Sequence, residues 1–293
     1  MRSIRKLYLQ NASGERWDLN GTNGVYCTDL SGFGFTLETD FSNIGCGFFQ
    51  VPSDNADAQS NLAFTVVFAK NAYITFQTFA DWLADSEKLS IVYNPTGTQE
   101  YYRDIVVSFV EKGELNGVGW LECPCSFYAL TPWYRPIPTS LSVQSSGKDE
   151  RKLYNYRYTD SFKYGLDSSS ALSATVVGSG HIPAAIELFY YGAIKNPQIK
   201  LTGNISGNTF GVCSISSVFS DADILVVSTK YEKSFVKKIA ADGIESDLLN
   251  DLNLNLKPFF RIPINEPCTI SIESDDFFTG RAELAVYYYY RSV

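Results

Sequence analysis

Apolar and polar positions alternate with a period of two along most of this chain, the spacing of strands that bury one face. In IRKLYL, Leu7 and Leu9 share one face while Lys6 and Tyr8 take the other. NASGE turns the chain towards RWDL; glycine-punctuated GVYCTDLSGFGFTLET and GCGFFQ follow, then a polar, turn-forming stretch over Ser53 to Asn61 that reads as a surface loop. LAFTVVFAK and KLSIVYN read as strands. YYRDIVVSFV and GWLECPCSFYAL read as two long ones joined at KGELNGVG. One helix interrupts them. Phe76, Phe79, Ala80 and Leu83 recur at i, i+3, i+4 and i+7, with Trp82 at the edge of the stripe and Thr75 placed as its N-cap. This helix, about 76–86, is expected to close one side of a sandwich.

LTPWYR ends the first half. Pro132 removes a ladder donor and biases Thr131 away from helix, so the sheet is expected to stop there. PIPTSLSVQSSGKDERK, rich in Pro, Ser and charge, reads as a connection between two folded units. Beyond it come LYNYRYTDSFKYG, ALSATVVGSGHIPAAIELFYYG, PQIKLTG, NTFGVCSISS, DILVVST and KSFVKKIAADG. Asp242-Gly243 signals a hairpin, IESDLLNDLN a helical turn, and FFRIPI, PCTISIES and RAELAVYYYYRSV the closing strands. The expected fold class is all-β, with two β-sandwich-like domains, 1–135 and 136–293, the first carrying the single packed helix.

Composition supports this. A chain of 293 residues suggests about two domains. Phe and Tyr number 20 and 19, which suits pleated, half-buried surfaces. The formal charge of −8 gives no basic footprint for holding nucleic acid by its phosphates. The N-terminal stretch intersperses apolar residues with charge, unlike a signal peptide, and runs such as AFTVVFA are too short to span a bilayer. Synthesis in a cytoplasm without export is expected, and with it reduced thiols at the six cysteines.

No catalytic, cofactor or metal constellation emerges. His181 is the one histidine, so zinc sites built on two or three are excluded, and no nucleophile elbow accompanies it. Cys123 and Cys125 point to one face of a strand as small core residues, and their spacing to Cys27 and Cys46 matches no zinc knuckle. The carboxylate pairs Glu111/Glu114, Asp221/Asp223 and Asp275/Asp276 fall mostly in turns, where solvation is the default. The glycines of SGFGF and GCGF lack the third glycine and following helix of a dinucleotide fingerprint. Asn11-Ala-Ser13 and Asn204-Ile-Ser206 match the glycosylation sequon but carry no weight without secretion. VYYYYR can offer at most half its rings on one surface, and reads as a core-plus-interface strand before a sugar platform.

The order of segments resembles the N-terminal domain of siphophage distal tail proteins. The likeness is carried by Leu7, Asn11, Gly14, Trp17 and Leu19 (N..G..W.L), the turn Gly32 to Phe35 (GFGF), the helix Phe76 to Asp85, the strand LSIVYNP and the exit LTPWYR. The C-terminal half resembles the family in PFFRIP.N and the Tyr-rich final strand. The resemblance implies a structural virion protein at the distal end of a phage tail. Such proteins form a homohexameric hub ring, built by the N-terminal sandwich, with a galectin-like or carbohydrate-module-like C-terminal sandwich projecting outward. The implied partners are the major tail tube protein above, the tail-associated hub or lysin protein below, and receptor-binding or other baseplate proteins outside. DNA would pass an acidic lumen without specific binding. The Ser53–Asn61 loop and the GFGF turn are candidate interface elements. Ser140 to Ser179 is either an arm gripping a receptor-binding protein or strands of the second sandwich. Two other readings stay open: direct binding of host cell-wall saccharide by the second domain, marked by exposed aromatics beside Asp or Asn on one face, and a β-sandwich glycosidase.

Overall fold

The computed structural model describes residues 5–35, 41–43, 48–50, 60–144, 171–275 and 280–293. They are almost wholly β, with a single α-helix among the described residues. The chain divides into two compact units, one of residues 1–135 with 290–293, the other of 136–289.

The first unit contains β1 (Lys6–Asn11), β2 (Arg16–Asp18), β3 (Val25–Ser31), the short hairpin β4 (Phe41–Asn43) and β5 (Phe48–Gln50), and β6 (Asn61–Phe68). Then come α1 (Ala72–Ala84), β7 (Leu89–Asn94), β8 (Tyr101–Val110), β9 (Leu121–Ala129) and the start of β10 (Trp133–Ser140). Antiparallel pairing runs β2-β1-β7-β8-β9-β6-β3. Alternation determines which residues enter the core. Leu7, Leu9, Leu62, Phe64, Val66, Phe68, Ile91, Ile105, Cys123, Cys125 and Phe127 all lie buried in one cluster.

The helix starts earlier than its stripe suggests, and Thr75 is not its cap. Asn71 holds the N-cap position in the left-handed region (φ 47), and Thr75, inside the first turn, donates its hydroxyl to the carbonyls of Lys70 and Asn71. Phe79 is fully buried; Phe76, Trp82 and Leu83 pack partly against the same core.

Pro132 does not end the sheet. β8 is longer than either partner on its far edge: its C-terminal half pairs with β9, and Tyr102, near its start, pairs with Tyr134 of β10. The corner is held by hydrogen bonds to β8. Leu130 N donates to the Asp104 carbonyl, Asp104 N donates to Thr131 Oγ1, and Arg103 Nε donates to the Thr131 carbonyl. Of the proline-rich stretch after it, Pro136–Ser140 and Ser142–Gln144 are strand, and residues 145–152 lie outside the described residues. Pro136 and Pro138 lie two apart in β10, so both missing donors face one strand edge and the donors of Ile137 and Thr139 face the other.

The second unit begins with β11 (Ser142–Gln144), β12 (Ala171–Val177), β13 (Ile182–Tyr191), β14 (Ile194–Lys195), β15 (Gln198–Gly203), β16 (Thr209–Ser214) and β17 (Val218–Phe219). It ends with β18 (Ile224–Thr229), β19 (Ser234–Ile239), β20 (Glu245–Asp247), β21 (Pro267–Glu273) and β22 (Arg281–Tyr290). Two antiparallel sheets result. One runs β11-β12-β21-β15-β16; the other runs β22-β13-β18-β19-β20. Each buries one face, through Leu172, Ile199, Leu201, Cys213 and Ile270 in the first and Ile186, Leu188, Leu225, Val227, Val236 and Leu284 in the second. Asp242-Gly243 makes the β19–β20 turn, with Gly243 at φ 82 and its N–H on the Ala240 carbonyl. IESDLLNDLN divides into β20 and a 3-10 turn at Leu249–Asp251. FFRIPI forms no strand; Ile262 and Ile264 make single bridges to Ala184 and Gly178.

Candidate functional site

The residues of the N-terminal sequence pattern meet in two clusters inside the first unit. The first forms around the β1–β2 hairpin. Asn11 closes it, its N–H on the Glu15 carbonyl and its carbonyl accepting from Gly14, which adopts φ 85. The hairpin presents Trp17 to the helix, 5.2 Å from the ring of Phe79 and 5.8 Å from Trp82. Leu19 is buried beside them. Across the outer edge Arg16 makes a two-pronged ion pair with Glu100 (2.9 Å on each arm), and this bonding draws the Glu100 carboxyl below its usual range.

The second cluster joins the GFGF turn to the exit strand. Phe33 stacks on Trp133 at 5.5 Å, Tyr93 lies 5.9 Å from the same indole, and Trp133 Nε1 donates to the Phe33 carbonyl. The turn has no room for a side chain at its first glycine. Gly32 sits at φ 78, and a Cβ there would meet the Asn61 carbonyl oxygen at 1.8 Å. Arg103, buried, lies over the Trp133 ring, 5.6 Å from its centre. The sequence pattern is therefore an architectural one: its aromatic residues lock the hairpin to the helix and the turn to the corner strand.

The other residues singled out in the sequence are spread apart. Cys123 and Cys125 are buried side by side, and burial raises both thiols, Cys125 to about 12. Cys27 is half-buried; Cys46 lies outside the described residues. His181 is exposed, with its N–H on the Tyr289 carbonyl. Glu111 and Glu114 are exposed, Glu114 accepting from the Tyr73 hydroxyl. Asp223, unlike its neighbour Asp221, is buried, and it pairs with Lys238 at 2.9 Å and accepts from Ser220 N. The hydrogen bond from Lys238 holds its carboxyl down at about 2. Asp275 accepts from Asn196, and Asp276 lies outside the described residues. So do residues 53–59 of the expected interface loop and residues 145–170 of the Tyr/Ser-rich segment. In VYYYY strict alternation fails: Tyr288 and Tyr289 are both buried, and Tyr287 is half-buried with its hydroxyl on Glu187. No group of three or more His, Cys, Asp or Glu among the described residues is placed to hold a metal. No helix is long and apolar enough to cross a membrane among them.

The signature residues of this all-β chain build packing. Residues 6–130 match the family model of the distal tail protein, N-terminal domain. No curated protein sequence matches the chain significantly. The fold is similar to that of a chain in the phage P2 baseplate in its activated conformation, at TM-score 0.65 and 14% identity, over 99% of this chain and 100% of that one. It is also similar to SPP1 Dit, described as a paradigm of the hub adsorption apparatus in phages infecting Gram-positive bacteria. That match has TM-score 0.59 and 10% identity, over 96% and 98% of the two chains.

Proposed function

We propose that this protein is the hub of a phage tail tip: a homohexameric ring joining the tail tube to the baseplate proteins and anchoring receptor-binding proteins. The observation that carries the reading is the match of residues 6–130 to the distal tail N-terminal domain, supported by a fold like that of SPP1 Dit over 96% of the chain. The division of labour follows the two units. The N-terminal one, 1–135, builds the ring; the C-terminal one, 136–289, is the outward-facing galectin-like domain that meets the peripheral proteins. A ring of one chain type needs a heterologous interface that closes after six copies. The tube protein lies above it and the tail-associated hub protein below.

The charge of −8 per chain has a use in such a ring. Acidic groups along a lumen repel the DNA backbone, so the genome passes without adsorbing. The proposal needs no turnover of substrate, and none is assigned. Its location is tested by decorating intact virions of the encoding phage with gold-labelled antibody against this chain. Label confined to the tail end away from the head is the expected result. Label along the tube or on the capsid would overturn the reading.

A further inference from the structure

The outer face of the sheet β22-β13-β18-β19-β20 carries the same three-part group of side chains three times. In each, a cation lies over an aromatic ring and is neutralised by a carboxylate. Lys237 Nζ sits 5.3 Å from the Phe235 ring centre and 2.8 Å from Glu245 Oε2. Lys230 Nζ sits 4.2 Å over Tyr287 and 2.9 Å from Glu187 Oε2, which also accepts from the Tyr287 hydroxyl at 2.8 Å. Arg281 lies 4.7 Å over Tyr191, with Glu283 3.8 Å away and the Tyr191 hydroxyl 3.5 Å from that carboxylate, the loosest of the three.

Strand register puts all three groups on one face. Glu187 pairs with Ser228 and Ala285, Ser228 with Phe235, Tyr191 with Arg281 and Phe189 with Glu283, and paired residues in antiparallel strands project to the same side. Glu245 pairs with Ile239, two residues from Lys237, and so joins them. Five strands about 4.8 Å apart make this face about 19 Å wide. At its β19–β20 edge the face deepens into a cleft of about 280 Å³ lined by Lys233, Phe235, Lys237, Glu245, Ser246 and Asp247. Asp247 is fixed there, one oxygen accepting from Leu249 N at 2.6 Å.

We infer that this face binds a neutral polysaccharide, one sugar ring seated in the β19–β20 cleft and the chain continuing across the sheet. This is a function additional to the hub role and rests on the second unit alone. Three features select the ligand. A repeated binding group suits a ligand with a repeating unit. The cation of each group is already neutralised by its own carboxylate, and in the cleft Lys233 and Lys237 are matched by Glu245 and Asp247, so the face offers an anionic polymer no net attraction. Ammonium donors, carboxylate acceptors and apolar ring surface side by side match a sugar, whose hydroxyls both donate and accept and whose C–H face is apolar. The ion pairs also hold these long side chains in place before the ligand arrives, which lowers the entropy lost on binding.

The test is a glycan array probed with the full-length protein, followed by calorimetry on the neutral oligosaccharides retained. Expected are binding of neutral chains, a tenfold or greater gain from monosaccharide to trisaccharide, and little change between 0.1 and 0.5 M salt. Phe235→Ala and Glu245→Gln should each weaken binding at least fivefold. Tyr287→Phe, which keeps the ring and drops only the hydroxyl, should weaken it about twofold. Lys200→Ala, on the other sheet, should leave it unchanged. All variants are to be compared at equal melting temperature and oligomer mass, so that a loss reports the face and not the fold. Binding of anionic polymers alone with steep salt dependence, absence of any neutral ligand on the array, or variants that bind like the parent would each overturn the inference. None of these results bears on the ring, whose mass is read from the same samples.

Discussion

At Gly32 the chain passes so close to the Asn61 carbonyl that no other residue fits, and its φ of 78 is one that side-chain-bearing residues rarely adopt. Gly32→Ala should therefore lower stability by about 1–3 kcal/mol, read as a shift in the urea midpoint at constant slope. Asp223 gives a pH signature. Its carboxyl is held at about 2 in the folded chain by Lys238 and Ser220 N, below the ordinary value of about 3.9, so the unfolded chain takes up the proton first. Its contribution is complete above pH 4–5 and is lost as pH falls through 2. Asp223→Asn should cost about 1.5–3 kcal/mol at pH 7, the range for hydrogen bonds to a charged group, and the gap to the parent should narrow towards pH 2. Thiol chemistry is equally specific. Burial pushes Cys125 and Cys213 up to about 12, so native protein at pH 8 should leave both unlabelled by iodoacetamide, while guanidinium should expose them.

Elements were legible wherever one face is buried and the other wet. The period-two pattern of Leu7 and Leu9, or of Cys123 and Cys125, follows directly from that asymmetry. What the pattern misses is what a long partner strand decides. β8 extends past the end of β9, and its edge there recruits Tyr134 after Pro132, a tertiary effect with no local signal beyond the corner residues themselves. The helix start departs from its apolar stripe for a similar reason: Asn71 adopts φ 47 to turn the chain out of β6, and the Thr75 hydroxyl bonds the carbonyls behind it instead of capping. Two variants probe these joints. Thr131→Val leaves the buried Asp104 N–H without its acceptor and should cost about 1–3 kcal/mol. Phe79→Ala empties the contact among Trp17, Phe68 and the helix and should cost about 3–5 kcal/mol, with loss of helical ellipticity.

For the whole molecule, the N-terminal pattern was readable because its residues serve a single architecture: Gly14, Trp17, Gly32, Phe33 and Trp133 each sit at a joint that fixes the path of the chain. The candidate saccharide face was not readable. Its members come from four strands and the turn after β18, spread from Glu187 to Tyr287, and only register brings Tyr191 beside Arg281 or Glu187 beside Tyr287. The one local trace was the alternation of Phe235 with Lys233 and Lys237, which is indistinguishable in sequence from an ordinary solvated strand edge.

The central claim is the ring. Light scattering on the purified protein, with negative-stain images of the same peak, tests it most directly. The hub account predicts a mass about six times 32.7 kDa and annular particles with a central hole. A mass of 32.7 kDa across the concentration series, with no rings in the images, would contradict it.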